Sequence, residues 1–264
     1  MGIILALPSF VSALLVIGGT IAISIATYAV ARWLLNPRAA PETKDLAGSV
    51  IFRVSALHGL ILALVFAQEL INLTQVRETA SKEAALIGDV FFDLKRYDVD
   101  ATLAIRKGLA DYTAAVLDQE WESLARTKML SGEAWGRWDA VYSAILDLEP
   151  RSRRQEDLRR IMLTDIRELS GLRRARENAA ASGANTLFVT AALVGVVLTA
   201  VSYFTFPPSK VNILLLSIFS AYTGLVIFFI VAFANPYLEP GAIEPVGLER
   251  IFDGELGQLY REAR

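Results

Sequence analysis

The residues whose types could do chemistry gather in one apolar stretch. Ser49 to Gln75 carries Arg53, His58, Gln68, Glu69 and Asn72 among leucines, valines and alanines. About 20 apolar residues cross the hydrocarbon core of a bilayer, so the stretch is long enough to span one. An ionisable group inside such a span is costly and marks a functional site by default. At about 100° per residue, His58 and Glu69 differ by only about 20° around a helix and stand roughly 16 Å apart along it. Ile61, Leu62, Val65, Gln68 and Asn72 fall on the same broad face. Gly59, Ala63 and Ala67 recur at every fourth position on a second face, a pattern that lets helix backbones approach closely in a membrane. Two readings of the first face stand side by side. Its polar residues form interhelical hydrogen bonds or sit at headgroups, or the stripe lines a water-filled path with polar ends and an apolar middle.

Other chemistries are missing from the chain. It has one histidine and no cysteine, which excludes multi-histidine metal sites, thiolate ligands, disulfides and cysteine nucleophiles. There is no glycine-rich phosphate loop and no nucleophile-elbow motif. Asp118, Glu120 and Glu122 do not share one helix face as a set. The expectation is a protein with no catalytic residue, no metal and no cofactor. A net charge of −2 over 264 residues, with no aromatics interleaved among the arginines, carries no nucleic-acid signature.

The elements that must position the stripe follow from the distribution of charge. The chain is 54% hydrophobic, yet charge is dense between four long stretches that almost lack it. That division predicts an all-α polytopic membrane protein with four transmembrane helices and a helical soluble bundle inserted between helices two and three. Residues 1–74 would hold the first two helices, 75–184 the soluble domain, 185–234 a transmembrane hairpin and 235–264 an acidic tail. The first span, residues 9–35, lacks a basic leader and outruns a signal-peptide core, so it reads as retained. Thr20, Ser24, Thr27 and Ala31 give it a small-residue face. Asn36 to Gly48 reads as a loop. No turn signal separates the second span from Val76, Ala80, Ala84, Ile87, Phe91 and Leu94, which continue a helical apolar period. One rod is expected to run from membrane into soluble domain.

Three further helices are expected, at about 101–126, 133–148 and 153–180, with no strand-like alternation. Residues 75–150 hold fourteen acids against nine bases, whereas all nine cations of residues 151–184 are arginine. The arginine-rich helix either packs on the acidic ones inside a bundle, or presents Arg173, Arg174 and Arg176 to anionic headgroups or to anions in a vestibule. The third span covers about 186–206 and the fourth about 211–234, each with a small-residue ridge. Six basic residues flank the spans on the side of the large domain and five on the other, which places that domain in the cytoplasm by the narrowest margin.

Several stretches resemble the bestrophin-like domain family. They are KEAALIGDVFFDL after the second span, YTAAVLDQEW at Tyr112–Trp121, LRRAR at Leu172–Arg176 and NPYLEPGAIEP after the fourth span. The family's last motif usually places its glycine closer; here Gly241 is displaced. The resemblance implies a bestrophin-like homo-oligomeric ion channel of a bacterial inner (plasma) membrane, a multi-pass protein whose partners are the lipid bilayer, further copies of itself and inorganic ions. It favours a pentamer, with a tetramer as the other closed ring, and a pore lined by the second helix with Ile61, Leu62 and Val65 at its constriction. Glu69 repeated around such a ring would favour cations, and Arg53 anions at the other mouth. The competing expectation is a non-conducting membrane sensor or scaffold whose helical domain binds a protein partner.

Overall fold

The computed structural model describes residues 8–35, 41–183 and 186–263. Every element among them is helical. Helix α1 is Ser9–Leu35, α2 is Pro41–Tyr97, α3 is Leu103–Ala115, and a π-helical turn at Val116–Glu120 leads into α4, Trp121–Arg126. Then come α5 (Gly132–Leu146), α6 (Arg153–Ser182), α7 (Thr186–Ser202), a short 3₁₀ turn at Tyr203–Thr205, α8 (Lys210–Phe233), α9 (Val246–Phe252) and α10 (Glu255–Glu262). Among the described residues, four stretches are long and apolar enough to cross a membrane, within Ser9–Leu35, Thr43–Tyr97, Arg153–Thr205 and Lys210–Phe233.

Residues 41–48, expected in a loop, instead open α2, with Pro41 in the first helical position. Proline is well placed there, because a helix's first N–H groups have no partner inside it. The rest of that loop, and Ala184–Asn185, lie outside the described residues. Gly183 follows α6 with φ 58°, the left-handed conformation that commonly stops a helix. Helix α2 runs 57 residues without a break, as the absence of turn signals predicts.

The chain divides into two compact units. One holds α1, α2 up to Ile71, α7 and α8. Its helices meet through small residues. A Cβ on Gly224 of α8 would lie 2.9 Å from the Ile17 Cα and 3.0 Å from the Thr20 hydroxyl of α1. Close by, the Ser220 hydroxyl donates to that of Ser24 at 2.7 Å. The other end of the pair is tied by Tyr28 and Arg32, which donate to the Phe206 carbonyl at 2.8 and 2.9 Å. Leu62 and Val65 of α2 join Val189, Ala192 and Val196 of α7 and Ile227, Ile230 and Val231 of α8 in one apolar core.

The second unit holds α2 from Asn72, α3 to α6 and the tail from Asn235. Ile87, Phe91 and Leu94 of α2, Leu109 and Tyr112 of α3, Ile145 of α5 and Met162, Ile166 and Leu169 of α6 form its core, with Leu248 and Leu256 from the tail. The side chain of Ser131 accepts the Ala134 N–H and caps α5, and Ser152 accepts from Gln155 ahead of α6. Ahead of α3, Asp98 accepts the N–H groups of Asp100 and Ala101 and so closes the turn rather than capping the helix. The tail is broken at Asp253–Gly254 into α9 and α10.

Candidate functional site

Except for Asn72, the polar stripe of α2 belongs to the first unit, and packing splits it. His58, Leu62, Val65 and Glu69 are buried, whereas Ile61, Gln68 and Asn72 are exposed. The split is geometric. Positions 58, 62, 65 and 69 repeat at alternating steps of four and three residues and form one narrow ridge, whose His58, Leu62 and Val65 pack on α7 and α8. Ile61, Gln68 and Asn72 stand beside it. Four of the seven residues expected to line one path are thus buried and three are exposed.

The small-residue face is open within the chain. Gly59, Ala63 and Ala67 are exposed, and a Cβ on Gly59 would meet nothing within 4 Å. On another open side Leu57, Ile61, Leu64, Gln68, Ile71 and Gln75 alternate steps of four and three residues, the 3.5-residue period of helices that pack around a common axis. Helix α2 thus presents a ridge to its own chain and a regular seam away from it.

The second unit holds a buried cluster that the sequence hinted at without resolving. Glu83 of α2, Glu120 of the π turn, and Arg173 and Arg176 of α6 all have fully buried side chains. Arg176 donates to both oxygens of Glu83, at 2.6 and 2.9 Å, and to Glu120 Oε2 at 2.7 Å. Arg173 donates to Glu120 Oε1. Two acids and two bases sum to no net charge, which is the condition under which ions can be taken out of water. Aromatic faces complete the shell. Arg173 lies 4.0 Å over Trp135 and Arg176 lies 4.8 Å over Trp121.

The electrostatics follow from this burial. Burial opposes the charge on Arg176, but Glu83 and Glu120 outweigh it and hold the guanidinium above its ordinary value. Burial pushes the Tyr112 hydroxyl well up, with Glu83 adding to the shift. Burial likewise pushes Tyr237 up to about 12, against the opposing pull of Arg176.

Local folding places each member. Val116, Glu120 and Leu124 follow Tyr112 at steps of four, and each step overshoots a full α-helical turn by about 40°. The π turn is wider and takes back part of that drift, so all four stay inward. On α6, Met162, Ile166 and Leu169 lead at helical spacing to Arg173, Arg176 and Ala180, all buried. Arg173 and Arg176 therefore meet carboxylates and rings, the arrangement of the first of the two readings of this helix, in which it packs on acidic ones. Arg174 remains exposed. The signal was an apolar face that ran onto arginine, matched by the acid Glu120 on the apolar face of the preceding helix.

The tail closes over this cluster. Trp121 Nε1 donates to the Ile243 carbonyl at 2.9 Å, and its ring meets Tyr237 edge-on with centroids 5.9 Å apart. The Asn235 side chain accepts the Tyr237 N–H and donates to the Ala125 carbonyl. Glu83, Glu120 with Trp121, Arg173 with Arg176, and Tyr237 come from the four stretches quoted above for their family resemblance. Those stretches meet at this one place. Among the described residues no group of three or more histidine, cysteine or acidic side chains is arranged to hold a metal ion.

A family model, the bestrophin-like domain, matches residues 18–248. No curated protein and no solved structure matches the chain.

Proposed function

The chain belongs to the bestrophin-like family, and on that premise we propose that it is a homo-oligomeric ion channel whose pore is lined by α2. The observation that carries this reading is the open seam of α2. Its exposed positions Leu57, Ile61, Leu64, Gln68 and Ile71 keep the period of a helix that faces equivalent helices around an axis. Exposed amides within an apolar span are costly against lipid and natural against water, which favours a wet axis over a lipid-facing one. Leu57, Ile61 and Leu64 form the apolar constriction, where dewetting can stop ions. Gln68 and Asn72 line its inner mouth. Of the buried members of the stripe, His58, Leu62 and Val65 hold α2 to α7 and α8 behind the pore surface. Gly59, Ala63 and Ala67 let neighbouring copies of α2 approach.

In this reading α1, α2, α7 and α8 cross a bacterial inner membrane, with the unit built around the charge cluster in the cytoplasm. Five copies close the ring by likeness to bestrophins, and four is the other workable closure. Particle symmetry in lipid nanodiscs tests the assembly. A ring of four or five subunits with α2 nearest the axis is the expected result. A monomer or dimer would overturn it.

A further inference from the structure

His58 is the one histidine in the chain, and it sits inside the helix contact that holds α2 in place. Its side chain is 4% exposed, and its Nε2 is buried without a hydrogen-bond partner. The imidazole occupies the space a side chain would need on α7. A Cβ on Gly195 would lie 1.9 Å from Nδ1 and 2.5 Å from Cε1. Phe219 of α8 closes the other side, with ring centroids 6.3 Å apart.

No countercharge reaches this spot along the helices that surround it. Helix α7 carries no titratable residue, α8 carries only Lys210 and Tyr222, and α1 only Tyr28 and Arg32, with no acid on any of the three. On α2 itself the nearest charged residues are Arg53 and Glu69, five and eleven positions away. A neutral imidazole fits the gap left by glycine. A protonated one would be an unpaired cation between apolar helices, and it reaches water only if α2 and α7 part.

We propose that the His58–Gly195 contact is a proton-operated latch between α2 and α7. The neutral side chain closes it and protonation releases it. If α2 lines a pore, the latch sets the position of the pore wall, and that last step alone rests on the channel reading.

The absence of cysteine in the chain allows a direct test. Spin labels at Leu57→Cys and Val194→Cys, both exposed positions, would report the α2–α7 distance by electron–electron dipolar spectroscopy. Labelled chains are diluted with unlabelled ones in nanodiscs, and spectra are taken from pH 8 to pH 5. A longer distance is expected to appear on acidification, its ratio to the shorter one growing up to about tenfold per pH unit, as one linked proton requires. In His58→Phe the short distance should persist at every pH. In Gly195→Ala, which evicts the imidazole, the long distance should be present throughout. Distances unchanged with pH in the native chain, or a shift that survives in His58→Phe, would overturn the latch. Because His58→Phe alone decides the matter, poor folding of Gly195→Ala does not blunt the test. Current recorded from the unlabelled native chain in planar bilayers separates the two readings. A pH-dependent distance without conductance leaves the latch standing and removes the channel.

Discussion

At the residue scale, the buried charge cluster shows how unequal three neighbouring arginines can be. Arg176 compensates two carboxylates that have no water, so its removal strands Glu83 and Glu120 as uncompensated charges. Breaking a buried pair in this way costs roughly 3–5 kcal/mol. Arg176→Ala should therefore lower the denaturation midpoint of the purified protein steeply. Arg174→Ala, at an exposed position one turn from Ser170, should change stability by no more than about 0.5 kcal/mol. Equal losses in both variants would contradict the cluster. Tyr237 gives a pH signature with a definite sign. Its hydroxyl ionises near 10 in the unfolded chain and near 12 in the folded one, so the fold keeps the proton longer. The resulting stability is full below pH 10 and is lost as pH rises towards 12. Tyr237→Phe should flatten the alkaline fall of the melting temperature, and an unchanged slope would count against the burial of this hydroxyl. Much of the cluster could be read from the sequence, because Arg173 and Arg176 continue an apolar helix face and Glu120 lies on another. What could not be read was the pairing. Arg176 meets Glu83 across 93 positions and Glu120 across 56, and helical periodicity carries no information about such long-range partners.

At the element scale, helix existence was legible and helix rotation was not. The boundaries of α1 and α8 and the unbroken run of α2 beyond its apolar span follow from apolar length and from the missing turn signals, whereas the start of α2 at Pro41 does not. The π turn has no composition signature. It came from packing, which keeps Tyr112, Val116, Glu120 and Leu124 on one side. The stripe on α2 illustrates the same limit. A wheel groups His58, Ile61, Leu62, Val65, Gln68, Glu69 and Asn72 within one broad arc, but a neighbouring helix covers only a narrower ridge. Which half it covers depends on where glycines permit close approach, and Gly195 draws α7 onto His58. Gly224 plays a similar part between α8 and α1. Gly224→Ala places a methyl group 2.9 Å from the Ile17 Cα and should cost about 1–3 kcal/mol as an overpacked contact. Gly18→Ala, with nothing within 4 Å of the added carbon, should leave stability unchanged or raise it slightly. Comparison of the two in detergent unfolding checks the α1–α8 approach, and equal behaviour would refute it.

At the scale of the whole molecule, the two compact units divide the work. One buries its contacts through small residues and leaves the α2 seam open. The other buries a neutral knot of charges at the place where its family-resembling stretches converge. Helix α2 belongs to both, so a change in one unit has an unbroken helix along which to reach the other. The central claim is that the open seam of α2, and not its buried ridge, faces the ion path. The native chain has no cysteine, which makes it a clean background for thiol block in planar bilayers. Current from Ile61→Cys should fall sharply on addition of a bulky charged methanethiosulfonate, while Leu62→Cys, one residue on and 5% exposed, should be untouched. Absence of current in the native chain, or block at Leu62→Cys with none at Ile61→Cys, would contradict the account.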